Sequence, residues 1–315
     1  MRVLRSLGVS CVALASAVSL LAGCGGPGEQ RHGGGRADAA RPAAPGGNRP
    51  EGRPPAALRL DLPFDAYKWD DRDVWLLERA RYTLVARCVR ERGLDFTMPR
   101  NTADTGPPAG YDNSRRYGVA DPRAVSRYGY HLPADPDGDR RRRRLQVWSE
   151  QVSAAEESAI YGDGTEGDLG CYGQADAVVD RGVAATADAD DGWLAARSSA
   201  TLERSGADPE VVRARVRWRD CMFRAGFRHR DPDAAGGDAR WNLDGAAVPA
   251  AEVATARADV RCKESSGLLR SWHAAETALQ RDAVGRDRPR FDRIAAARAT
   301  RLGNARVVLA GEQPK

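Results

Sequence analysis

Four cysteines, Cys88, Cys171, Cys221 and Cys262, are the side chains of this sequence whose type and spacing most readily do chemistry. Such a set can ligate a metal, carry electrons or close disulfides. A redox pair would sit as Cys-x-x-Cys, and a zinc site would add histidines at short spacing. Neither pattern occurs: His131, His229 and His273 stand at no ligand spacing from the cysteines. No metal and no cofactor is expected, and two disulfides remain as the use of the four thiols, provided that the chain reaches an oxidising compartment. A second chemistry, glycan cleavage, needs two carboxylates across a cleft and leaves no local signature, so Glu150, Glu156, Glu157 and Asp168 stand as candidate acids and bases. Gly-x-Ser-x-Gly, His-Glu-x-x-His and Gly-rich phosphate loops are absent.

The N-terminus supplies the compartment. Arg2 and Arg5 precede an uncharged, mostly apolar run from Leu7 to Ala22, closed by small residues, which is the layout of a secretory signal. Gly25-Gly26-Pro27-Gly28 stops that run short of the ~20 apolar residues a membrane span requires. Leu21-Ala22-Gly23-Cys24 resembles the bacterial lipobox. The resemblance implies cleavage before Cys24, a diacylglycerol thioether on Cys24 and acylation of its freed amine, hence stable attachment by more than one acyl chain. Residues 1–23 are then a lipoprotein signal peptide. Residues 24–56 form a lipidated cysteine and a Gly/Pro/Arg-rich tether with almost no large apolar side chain, a composition that stays disordered. Such a tether reaches about 30 Å. Residues 57–315 form the extracellular domain, placed at the outer face of the cell membrane.

Losing residues 1–23 lowers the formal charge from +5 to +3, and Lys68, Lys263 and Lys315 are the only lysines. The arginines are mostly interleaved with Asp and Glu rather than gathered on one face, so no nucleic-acid partner is expected. Of the three ways to pair four cysteines, counting selects none. The segments "CVRERGLDF" at 88 and "CMFRAGFRH" at 221 share a cysteine, four residues, a glycine and a large apolar residue, each at the end of a helical pattern. Gly93 and Gly226 suit the left-handed position that stops a helix. Two copies of one arrangement would each take the next cysteine, giving Cys88–Cys171 and Cys221–Cys262.

These cysteines lie on helices. Val74, Leu77, Leu84, Val85 and Cys88 recur on one side of a helix over Asp71–Arg92. Asp208-Pro209-Glu210 opens another, with Val211, Ala214, Trp218, Cys221, Met222 and Ala225 at intervals of three and four. Further helices are expected over Arg140–Ile160, around Cys171, Ala175 and Val178, over Trp193–Arg204 capped by Asp191-Gly192, from Pro249 to Cys262, from Leu268 to Leu279, and from Phe291 to Leu309. No strand alternation is evident. The fold class is mainly α: a disulfide-stapled helical bundle with long irregular loops.

Pro99 to Asp139 reads as a long ordered loop containing one short helical turn and a doubled Arg-Tyr-Gly. Long loops are often functional, so Tyr117, Tyr128 and Tyr130, with Trp148 at an element edge, are the candidate binding residues. Trp218 and Trp272 read as core around a disulfide. Arg140–Arg144 can meet wall polyanions or acidic headgroups; the plainer reading is a solvated helix start balanced by the preceding "DPDGD".

The pieces "WRDCMFRAGF", "ADVRC" and "LLRSWHAAE" together resemble a group of actinobacterial cell-envelope lipoproteins in which Trp-x-x-Cys-Met and a following Asp-x-x-Cys recur. The resemblance spans about residues 70–310 and implies location and helical content only. The expectation is an envelope lipoprotein that binds another envelope protein or a cell-wall polymer without catalysis; the alternative is a wall-glycan hydrolase using paired carboxylates.

Overall fold

A computed structural model describes residues 60–102, 113–133 and 135–311. The chain divides at Pro54–Pro55, and every described residue belongs to the second unit. The expected signal peptide, Cys24, the tether and residues 103–112 of the long loop lie outside the described residues.

Among the described residues the fold is all helical: α1 (Asp71–Glu91), α2 (Pro122–Tyr128), α3 (Pro136–Gln151), α4 (Ala154–Tyr161), α5 (Gly170–Val179), α6 (Ala187–Gly206), α7 (Pro209–Arg224), α8 (Pro232–Gly236), α9 (Ala250–Ser266), α10 (Leu268–Arg286) and α11 (Arg288–Ala310), with 3-10 turns at Pro63–Tyr67 and Ala239–Trp241. None of these helices is long and apolar enough to cross a membrane. Helix α1 packs on α5 and α11; α7 packs on α9 and α10; α10 in turn meets α6.

The two disulfides hold two separate sub-cores. Cys88 of α1 is bonded to Cys171 of α5, with Cα atoms 5.7 Å apart, beside Val85, Val89, Ile160 and Ala175. Cys221 of α7 is bonded to Cys262 of α9, with Cα atoms 5.6 Å apart, beside Trp218, Met222, Leu268 and Trp272. Closing loops of 83 and 41 residues removes denatured-state entropy worth about 4 to 5 kcal/mol each in the chain-entropy account. The two helix ends next to Cys88 and Cys221 are built alike. Gly93 and Gly226 have φ of +77° and +88°. The amide of the residue after each glycine donates five residues back, Leu94 N to Val89 O at 3.3 Å and Phe227 N to Met222 O at 2.9 Å. This is the left-handed stop that glycine permits without a Cβ clash.

Several boundaries depart from the periodic pattern. Val74 is exposed, while Ala80, Thr83 and Val89 are buried, because α1 meets α5 and α11 on two sides at once. Arg140–Ile160 is two helices: Val152 is extended, and Ser153 Oγ accepts the Glu156 amide at 3.1 Å to start α4. Asp191 and Gly192 lie inside α6 rather than at its start. Their segment is held helical by tertiary bonds: Asp190 accepts from Arg290 at 2.6 Å and Arg293 at 3.3 Å, and Asp191 accepts from Trp69 Nε1 and Arg301, each at 3.3 Å. "DPDGD" is the first turn of α3, with Asp135 as its cap and Pro136 in its first turn, instead of the end of a loop.

Candidate binding surface: an arginine and tryptophan groove

The segment singled out as a binding loop is instead a buried clasp. Tyr117 and Tyr130 are 2% and 6% exposed, and their hydroxyls donate to Glu276 at 2.8 Å and Asp259 at 3.3 Å. Burial and the adjacent carboxylates push both phenols well above their ordinary range. Neither ring offers a surface to a ligand. Tyr128 is half-buried, with the Arg127 guanidinium 5.1 Å over its ring. Trp148 is half-buried and at the edge of the first sub-core.

Four charged side chains of α9 and α10 grip the clasp. Glu276 accepts from Arg116, Tyr117, Thr201 and Gln280, all within hydrogen-bonding distance. Asp259 accepts from Trp218 Nε1 at 2.8 Å and from Lys263 Nζ at 3.1 Å, and Lys263 also donates to Val119 O at 2.9 Å. Burial raises the Asp259 carboxyl and lowers the Lys263 ammonium, against their mutual attraction. Glu252 accepts from the Tyr130 amide at 2.6 Å and lies 2.9 Å from His131 Nδ1. The glycines of the doubled Arg-Tyr-Gly explain themselves here. A Cβ on Gly118 would stand 2.8 Å from Lys263 Nζ, and one on Gly129 2.3 Å from Glu252 Oε1, and both residues have positive φ. Sequence reasoning missed Glu252, Asp259, Lys263 and Glu276 because each reads as an ordinary helix-surface charge. The signal available was that Lys263 is one of only three lysines and falls four residues after Asp259, beside Cys262 on the buried stripe.

The candidate acids of glycan cleavage are engaged elsewhere. Glu156 is buried, and its two oxygens accept from Thr97 N at 2.6 Å and Thr97 Oγ1 at 2.8 Å. Asp168 accepts from the amides of Asp163 and Gly170, both at 3.0 Å. Glu150 and Glu157 are exposed, and Glu150 pairs with Gln146 at 3.3 Å.

A groove of about 740 Å³ lies beside α3. Arg140, Arg144, Val147 and Gln151, spaced i, i+4, i+7 and i+11, give it one side, together with Arg143 and Trp148. Thr97 and Pro99, from the segment after α1, and Val152 complete it, so none of its lining residues is acidic. Within α3, Arg140 pairs with Asp137 and Arg142 with Asp139, and Arg141 lies 4.0 Å from Asp135. Arg143 and Arg144 are exposed and have no acidic partner among the described residues. The acidic lead therefore balances the start of the arginine run and leaves its end unbalanced.

Trp148 is fixed in this groove. Its Nε1 donates to Thr97 Oγ1 at 3.1 Å, and Thr97 is in turn held by the buried Glu156. The only polar edge of the indole is thereby committed to the protein, and the apolar ring lines the groove. Guanidinium groups beside an aromatic face are chemically suited to contact negative charge and apolar surface together. A smaller basic surface, about 310 Å³, gathers Arg219, Phe223, Phe227, Arg228, His229 and Arg230 at the C-terminal end of α7. There Arg228 stacks 4.9 Å over Phe223 and Arg230 lies 3.2 Å from Asp231. Among the described residues no group of three or more His, Cys, Asp or Glu is arranged to hold a metal.

Compared with known families, with characterised proteins and with solved structures, the chain matches none.

Proposed function

We propose that this chain is an extracytoplasmic lipoprotein of the cell envelope, held at the outer face of the membrane through Cys24, and that its helical domain is a non-catalytic binding module. The binding reading rests on the α3 groove, where three arginines, one of them paired with Asp137, and a fixed indole line one space with no carboxylate among its described lining residues. Location is supported by the signal-like N-terminus with its lipobox-like end and by two disulfides, which persist in oxidising compartments. The glycan-cleaving alternative loses support, since Glu156 and Asp168 already accept from backbone amides and none of the four candidate acids lines the groove.

The test has two halves. In intact cells the wild-type chain partitions with membranes, carries the added mass of a diacylglycerol on Cys24, and leaves Cys88, Cys171, Cys221 and Cys262 unlabelled by a thiol reagent until reduced. Cys24→Ala removes the mass and the membrane association. For binding, a photoreactive side chain in place of Val147 crosslinks an envelope component, and the crosslink disappears when Arg143→Gln and Arg144→Gln are added. Free downstream thiols would overturn the location, and a crosslink indifferent to the arginines would overturn the binding site.

A further inference from the structure

We propose that the α3 groove binds a linear phosphodiester polymer, in which sugar or polyol units alternate with phosphates. The proposal rests on the binding reading above and names its ligand class. Four observations carry it.

The first is the layout of charge. Arg140 and Arg144 stand one turn apart on α3, about 6 Å along its axis, with Arg143 beside them. A row of guanidinium groups along a helix matches negative charges that repeat along a backbone, rather than a single terminal anion. A phosphodiester lies within the polymer backbone and presents two equivalent oxygens to the planar guanidinium fork.

The second is unspent charge. Several arginines of this protein are spent on the fold: Arg301 meets Asp180, Asp188 and Asp191, Arg298 meets Asp73, and Arg116 meets Glu276. Arg143 and Arg144 have no acidic partner among the described residues and line a groove whose described lining carries no acid.

The third is the indole. Trp148 is tied through Thr97 to buried Glu156, so its ring is pre-set against the groove and offers the C–H faces of sugar or polyol units a platform. The fourth is shape. An open groove of about 740 Å³ running along α3 accommodates a thin chain. The basic surface at the end of α7 is smaller, about 310 Å³, and its Arg228 is stacked on Phe223.

The experiment measures binding of a fluorescent glycerol-phosphate oligomer to the mature lipidated chain in neutral detergent, by polarisation at several salt concentrations. Saturable binding that weakens with salt is expected. Arg143→Gln with Arg144→Gln lowers affinity by about tenfold or more, as expected when two charge-assisted contacts are removed. Trp148→Phe, which keeps the packing but not the Thr97 bond, also weakens binding. Arg219→Gln with Arg228→Gln leaves affinity unchanged, and thermal midpoints stay at the wild-type value in both arginine variants. The proposal is overturned if the oligomer does not saturate, if the α7 variants lose as much as the α3 variants, if a polyuronate of equal charge density binds as tightly, or if phosphatidylglycerol vesicles are preferred. Should the oligomer fail while the crosslink from position 147 still needs the arginines, the ligand class falls and the binding module stands. An unlipidated chain with free thiols removes the envelope reading whatever the oligomer does.

Discussion

The clasp over α9 and α10 and the groove beside α3 are made from the same side chains, arginines and aromatics, put to opposite uses. In the clasp, Arg116 ends on the fully buried Glu276, and the Tyr117 hydroxyl on the same carboxylate. In the groove, Arg143 and Arg144 end in solvent, and Trp148 is half-buried, with its N–H bonded to Thr97 and part of its ring lining the groove. The difference lies in what faces the charge. A guanidinium brought against a buried carboxylate is bound to the fold, since removing either partner strands the other in a medium that solvates it poorly. A guanidinium with water opposite it contributes little to folding and is free to meet a ligand. Arginine content alone therefore says nothing about binding; the location of the counter-charge does.

That contrast can be broken at its strongest point by Glu276→Ala. It strands Arg116 and leaves Tyr117, Thr201 and Gln280 without their common acceptor, so unfolding free energy in denaturant titration should fall by about 5 kcal/mol, the upper end for breaking a buried pair. Next is Lys263→Met, expected to cost about 3 kcal/mol at neutral pH because Asp259 keeps a buried charge without its ammonium. Burial already raises the Asp259 carboxyl, and losing Lys263 raises it further. A raised carboxyl favours the folded state below its ordinary range and loses that advantage as pH climbs through its native value, so the Lys263→Met deficit should shrink as pH falls. Adding Asp259→Asn should recover part of the loss at neutral pH, and full additivity of the two changes would contradict the pairing.

Asp190→Asn probes an ion pair between α6 and α11 and should cost about 1 to 2 kcal/mol at neutral pH. Burial works against the Asp190 charge, but hydrogen bonds from Arg293 and Arg290 outweigh it and hold the carboxyl below its ordinary value. Its stabilisation is present above that ordinary value and is lost as pH falls through the lowered one, so wild-type and Asp190→Asn melting curves should converge only in strong acid. The smallest effect sharpens the comparison from the other side. Arg143→Gln with Arg144→Gln should leave stability within about 0.5 kcal/mol of wild type, as for surface positions without partners. A larger loss would mean that the groove arginines hold the fold after all.

Much of the scaffold could be read before any coordinates. The stripe Val211, Ala214, Trp218 and Met222 is the buried face of α7, and the matched cysteine and glycine spacings at 88 and 221 reflect two helix ends built alike. The groove was half legible: Arg140, Arg144, Val147 and Gln151 share one face by spacing alone, but the balance between Asp135, Asp137, Asp139 and the five arginines depends on which side chains reach one another. The long loop misled, because glycine, tyrosine and arginine are turn and surface residues by composition. Here their partners lie more than 100 residues away in sequence.

By itself, then, the sequence determined the helices that an apolar stripe and a capping residue specify, since both act within a turn or two of chain. Only the tertiary structure decided where charge is spent: it carried Glu252, Asp259, Lys263 and Glu276 inward to hold the clasp, and left Arg143 and Arg144 exposed, lining the same groove as Trp148. The reason is physical. Periodicity reports which side of a helix is apolar, whereas the fate of a charge depends on the dielectric and the counter-charge that distant elements bring to it.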